Sequence, residues 1–132
     1  LKPGAREFLV WLRQQGIRTG IASSNGIELV ETVLKAQGIQ KYLESVHTCC
    51  EVPKGKPAPD IYLLVAETLG VKPEECLVFE DVPMGILAGK NAGMRVCAVE
   101  DTFSAAQREE KKELADYYIE SYDEIPRERM QP

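Results

Sequence analysis

KPAPDIYLLVAETLGVKPEECLVFEDVPMGILAGKNAG, residues 56–93, is the stretch whose reading decides the fold. Lys56 stands in a turn stiffened by Pro57 and Pro59, and a helix then runs from Pro59 and Asp60 to Leu69, closed by Gly70. An apolar strand, Cys76 to Phe79, leads straight into two adjacent acids, Glu80 and Asp81. A second helix, about Pro83 to Asn91, stops at Gly93. Carboxylates at the carboxyl end of a buried strand face the crevice where open α/β sheets take their ligands. Two like charges there repel each other, and a hard cation such as Mg²⁺ relieves the conflict through oxygen ligands. The competing reading is that Asp81 only caps the next helix. A lysine brought to the same crevice suits a phosphate.

Outward from this stretch the same alternation repeats. Pro3 suits the first turn of an amphipathic helix with Phe8, Leu9, Trp11 and Leu12 on one side, ended by Gln15-Gly16. A short strand, Arg18 to Ala22, runs into Ser23-Ser24-Asn25-Gly26. Asn25 is expected to cap the next helix with Glu28 as reciprocal partner, and that helix reaches about Gln37 before Gly38. A strand follows at Ser45 to Cys49, then a loop, Glu51 to Pro57. Beyond Gly93 come a strand, Arg95 to Val99, a charged helix capped by Thr102 or Ser104 and reaching Leu114, and an edge strand, Tyr117 to Ile119. Strands joined by helices imply an α/β fold, with a parallel sheet and right-handed crossovers. No linker or low-complexity segment interrupts it, so residues 1–132 read as one unit.

At 132 residues, 44% hydrophobic and 28% charged, the chain matches one ordinary globular domain. A net charge of −5 with no basic stripe argues against nucleic acid and against an anionic membrane. An anionic substrate must then be attracted locally, by a metal, a lysine or a helix N-terminus. The four cysteines include no C-x-x-C and no disulfide spacing, and read as buried, reduced thiols. With no signal peptide and no apolar run near 18 residues, a cytoplasmic location is expected.

Three loops follow three successive strands and should open on one edge of the sheet. The first offers Ser23, Ser24 and Asn25 at a helix N-terminus, which favours an anion but is equally ordinary capping. The second holds Lys54 and Lys56, the latter between Gly55 and Pro57 and more firmly positioned than solubility requires. The third holds Glu80 and Asp81, with Gly85 and Gly89 behind them, free either for close backbone approach or for helix–sheet packing.

Taken together, IASSN at 21–25, GKPAPDIY at 55–62 and LVFEDVPMGILAGKNAGM at 77–94 resemble motifs II, III and IV of the haloacid dehalogenase superfamily. The wording is similar to the subgroup of β-phosphoglucomutase and small sugar-phosphate and nucleotide phosphatases. The resemblance implies a Rossmann-like three-layer αβα core with a parallel sheet. It assigns Ser23 to the hydroxyl that bonds the transferring phosphoryl group, with Ser24 and Asn25 beside it. Lys56 becomes the lysine that neutralises nucleophile and phosphoryl oxygens, Asp81 the Mg²⁺ ligand and Glu80 the second acid of the metal site. The family's motif I, an Asp-x-Asp after a first strand, has no match here. In the family that strand lies between those ending here at Ala22 and Glu80. The chain is therefore expected to be the C-terminal part of a longer protein, without the central first strand, the nucleophile and the cap domain.

The function so implied is a Mg²⁺-dependent phosphatase for a small phosphorylated metabolite, working through an aspartyl phosphate and monomeric as the full-length protein. A phosphomutase, a non-catalytic domain of the same fold and a receiver-like domain are the alternatives. In a receiver the acids come first and the lysine last, the reverse of the order here.

Overall fold

In the computed structural model, which describes residues 2–125, helices and strands alternate along the chain. The helices are α1 (Ala5–Gln14), α2 (Ile27–Gln37), α3 (Asp60–Leu69), α4 (Pro83–Asn91) and α5 (Arg108–Leu114). The strands are β1 (Gly20–Ser23), β2 (Ser45–Thr48), β3 (Leu77–Glu80), β4 (Arg95–Val99) and β5 (Tyr117–Ile119). Every ladder is parallel: β1 pairs with β2, β3 with β4, and β4 with β5. Parallel neighbours need a crossover, and the helices supply it.

Side-chain alternation along the strands separates two faces. Val78, Val96 and Ala98 point to one face, where Ile61, Tyr62 and Ala66 of α3 and Ile86 and Ala88 of α4 cover them. Phe79, Cys97, Val99 and Ile119 point to the other and meet Tyr122 and Ile125. Phe8 of α1 completes that side, its ring 5.5 Å from Phe79 and 5.7 Å from Tyr122. A third cluster, Val30, Leu34 and Ile39 with Leu9, Ile21 and Val46, seats α2 on β1 and β2. The result is three layers, with α3, α4 and α5 on one side and α1 and α2 on the other. Burying each branched side chain of this kind contributes about 1.5–3 kcal/mol.

The sheet is divided. β1–β2 and β3–β4–β5 form separate ladders, and among the described residues none joins β1 to β3. A cleft of about 890 Å³ lies between them, lined by Phe8, Leu12, Ile21, Val65, Leu77 and Phe79 among others. It falls between the strand ends where the family resemblance sets the first strand.

Several local expectations differ from what forms. Asn25 does not cap α2: Gly26 does, without a side-chain bond, and the Asn25 N–H donates instead to Ser23 Oγ at 3.1 Å. β1 begins at Gly20 because Arg18 and Thr19 are turned to the Leu69 and Tyr42 carbonyls. Cys49 leaves β2 for a 3-10 turn, because the Glu51 carboxylate accepts from the Thr48 N–H at 2.6 Å and from His47 Nδ1 at 2.8 Å. Neither Thr102 nor Ser104 caps α5: a 3-10 turn, Thr102–Gln107, intervenes and Gln107 stands at the cap. All four cysteines are free, but of them only Cys97 is buried, and burial pushes its thiol up to about 11. Cys50 is exposed, and Cys49 and Cys76 are half-buried. No helix among the described residues is long and apolar enough to cross a membrane.

Candidate functional site

Lys56 is carried to the sheet edge by the loop between β2 and α3. The Ala58 N–H donates to the Gly55 carbonyl at 3.0 Å, the Lys56–Pro57 peptide is cis, and Asn91 Nδ2 of α4 donates to the Pro57 carbonyl at 3.0 Å. From this fixed turn Lys56 Nζ donates to Glu80 Oε1 at 2.8 Å and to the Ala22 carbonyl at 3.1 Å. It also lies 5.0 Å from the centre of the Tyr62 ring. Both charged side chains are 11% exposed, so the pair is largely removed from water and held more firmly than a surface ion pair. Lys56 thus ties the carboxyl end of β1 to that of β3, across the division in the sheet. Tyr62 is buried beneath it, and burial, reinforced by the Glu80 charge, drives its hydroxyl far above the ordinary tyrosine value.

Glu80 is set by its backing as well as by its partner. A Cβ at Gly85 would lie 1.6 Å from Glu80 Oε2, so only glycine leaves room for the carboxylate. Gly89 serves packing, since its Cβ would meet the Val96 side chain at 2.6 Å. The two glycines therefore divide the two roles that the sequence left open for both. Glu80 Oε2 is buried and has no hydrogen-bond partner among the described residues.

Asp81 stands partly exposed just past β3. Its Oδ2 is 3.6 Å from Lys2 Nζ, which donates to Asp101 Oδ1 at 2.9 Å and to the Glu100 carbonyl at 3.3 Å. Lys2, Glu80, Asp81, Val99 and Tyr122 line a small cavity of about 160 Å³ there, with Phe79 at its wall. Among the described residues no group of three or more histidine, cysteine, aspartate or glutamate side chains is disposed to hold a metal. Two carboxylates nonetheless fit Mg²⁺, which takes one or two from a protein and completes its shell with water and substrate oxygens. Of the Glu80 carboxylate, Oε1 is taken by Lys56, and Oε2, without a hydrogen-bond partner among the described residues, is a hard oxygen donor.

Ser23 ends β1 next to Ala22, and its Oγ accepts from the Asn25 N–H. Ser24 and Asn25 are exposed at the start of α2, where unpaired N–H groups and the helix dipole favour an anion. Contacts thus unite Lys56, Glu80 and the end of β1, while Asp81 turns towards Lys2. Lys2, Asp101 and Tyr62 escape a reading of the sequence as site residues. Lys2 is far along the chain from Asp81 and Asp101, and no local pattern signals such a contact. Tyr62 stood inside a quoted motif, but nothing in the lettering points its ring at Lys56.

The model of the haloacid dehalogenase-like hydrolases matches residues 1–93. Hexitol phosphatase A of Escherichia coli (strain K12) is 41% identical over 97 residues, 74% of this chain and 44% of that one. The structure of CbbY from Rhodobacter sphaeroides in complex with xylulose-1,5-bisphosphate superposes with a TM-score of 0.87 at 29% identity, over 96% of this chain and 56% of that one. β-Phosphoglucomutase from Clostridium difficile superposes with a TM-score of 0.83 at 25% identity, over 99% and 55%. The chain spans about half the length of the curated relatives it matches. With the motif residues gathered at one sheet edge and a family model covering most of its length, the chain belongs to the haloacid dehalogenase-like hydrolases.

Proposed function

We propose that this chain is the core of a Mg²⁺-dependent phosphatase acting on a small phosphorylated metabolite. The observation that carries the reading is Lys56, bonded at once to Glu80 and to the end of β1. An ammonium fixed between two strand ends can neutralise a carboxylate and a phosphoryl oxygen brought between them, and phosphoryl transfer is mostly such positioning and charge neutralisation. The attacking aspartate is proposed to arrive on a parallel strand, from sequence outside residues 1–132, docked in the cleft between β1 and β3. Its carboxylate takes the phosphoryl group as an aspartyl phosphate, and water then releases the phosphate. Ser23, with Ser24 and Asn25 at the α2 N-terminus, bonds the phosphoryl oxygens. Asp81 and Glu80 would hold Mg²⁺, whose charge offsets the negative charge on the transferring group. The names of relatives such as hexitol phosphatase A support a sugar or sugar-alcohol phosphate as substrate.

A mutase is the second reading, favoured by the likeness to β-phosphoglucomutase. It would pass the phosphoryl group to a sugar hydroxyl instead of water. Release of inorganic phosphate separates the two. The protein carrying its upstream sequence is expected to release phosphate from an aryl phosphate and from hexitol phosphates when Mg²⁺ is present, and residues 1–132 alone to release none. Metal-dependent turnover by residues 1–132 would refute the docked aspartate, and a full-length protein that only redistributes phosphate between sugar hydroxyls would make it a mutase.

A further inference from the structure

Lys111 of α5 is fully buried, with 0% of its surface exposed. Its ammonium donates to the Val99 carbonyl at 2.7 Å and to Ser104 Oγ at 3.0 Å. Ser104, itself 2% exposed, donates from the same hydroxyl to the Asp81 carbonyl at 2.8 Å. The direction of this chain is fixed by chemistry: an ammonium has no acceptor, so Ser104 must accept from Lys111 and spend its single proton elsewhere. Of the two carbonyls in reach, Asp81 is the closer, that of Asp101 lying at 3.5 Å. Successive bonds of this kind strengthen one another in a low-dielectric interior.

The arrangement is expensive for the fold. No carboxylate pairs directly with Lys111 among the described residues, so the charge rests on two neutral oxygens and, at 5.9 Å, the Tyr118 ring. Burying an ammonium costs far more than burying the methionine or leucine that would fill the same space. Desolvation lowers its proton affinity accordingly, against the pull of Glu100, Asp81 and Asp101. The ammonium is bonded to the last residue of β4, and through Ser104 to the residue just past β3. It therefore fixes the two adjacent strand ends from which the acids of the site depart.

We propose that Lys111, acting through Ser104, is a positioning residue that holds the Asp81 backbone so that its carboxylate faces the metal; this rests on the phosphatase reading above. Partners one step removed from a metal ligand typically change metal affinity by about 10–100-fold when lost. The test uses the protein carrying its upstream sequence, titrated with Mn²⁺ as a paramagnetic stand-in for Mg²⁺ and read by electron paramagnetic resonance. Lys111→Met and Ser104→Ala are each expected to weaken Mn²⁺ binding by at least about tenfold. The Mg²⁺ concentration for half-maximal turnover should rise in step while the substrate KM stays put. Should Lys111→Met fail to fold, Ser104→Ala, which removes one hydroxyl and no charge, decides the matter alone. Variants that melt earlier yet bind Mn²⁺ within twofold of the parent would overturn the inference and leave the phosphatase reading standing. A parent that binds no Mn²⁺ would overturn both.

Discussion

At the scale of single residues, the candidate site pairs two charged side chains that water hardly reaches, those of Lys56 and Glu80, with a more exposed Asp81. Lys56→Ala in the full-length protein is expected to lower turnover by about 10²–10³-fold, the usual loss for one preorganised electrostatic contact. Asp81→Ala should do the same and raise the Mg²⁺ requirement; steady-state kinetics at varied Mg²⁺ checks both, and a residual rate within about tenfold of the parent would remove either residue from the site. Gly85→Ala probes the backing of Glu80, whose Oε2 sits where the new methyl must go. Overpacking of this sort costs about 1–3 kcal/mol, so the melting temperature should fall and activity with it. In the Gly85→Ala/Glu80→Ala double variant the clash is gone, and much of the lost stability should return. A methyl that destabilises both backgrounds equally would mean Gly85 answers to the helix and not to the carboxylate. That Lys56 and Glu80 lie at one sheet edge was legible because motif spacing sets each at the end of a strand or loop, and the structure brings the two into contact; Asp81 turns to Lys2 instead. Gly85's duty was not legible, since a glycine in a helix tells nothing of which atom presses against it.

At the scale of elements, the ends of strands and helices are governed by side chains that the sequence leaves free to choose. Gly38 and Gly70, both at left-handed φ, close α2 and α3 as their positions suggest. Helix and strand identities followed from apolar periodicity for the same reason, since burial enforces them. Ser104 does not cap because its hydroxyl is spent on the Asp81 carbonyl, and Asn25 does not because the Ser23 hydroxyl takes its backbone N–H into a turn that leaves Gly26 at the cap. Asp116 shows how an element junction becomes pH-sensitive. Its carboxylate accepts from Lys90 Nζ at 2.8 Å and from the Val96 N–H at 2.8 Å, joining α4, β4 and the end of α5. Lys90 first, then that N–H, holds its pKa below the ordinary aspartate value. A depressed folded pKa stabilises the fold above the unfolded value, near pH 3.9, and the benefit is lost as pH falls through the lower folded one. Asp116→Asn should therefore lower the melting temperature at pH 7 and make the parent and variant converge at the acid end. A difference that persists undiminished well below pH 3 would assign the effect to geometry instead of charge.

At the scale of the whole molecule, the divided sheet controls stability. Among the described residues β1 and β3 each present an unpaired edge to the cleft, beside Ile21, Leu77 and Phe79. Open edges invite association, and exposed apolar surface favours a loose, dye-binding state. Residues 1–132 alone should melt broadly and bind a hydrophobic dye, then sharpen when the upstream segment is supplied. A cooperative melt of the monomer without dye binding would mean the two ladders stand firmly by themselves. The strand order was legible only through the family resemblance, because apolar periodicity identifies a strand without naming its neighbour.

Lys56 reaches Ala22 on one ladder and Glu80 on the other, and this makes it a gauge of how far apart the two halves stand. A reacting group misplaced by about 1 Å can cost on the order of 10²-fold in rate, whereas the fold tolerates a volume-conserving core swap at less than about 1.5 kcal/mol. A volume-conserving swap such as Leu77→Met, at a residue lining the cleft, should thus lower the proposed phosphatase activity by more than its small effect on the melting curve would suggest. The rate would then depend on the packing between the half-sheets as well as on the motif residues themselves.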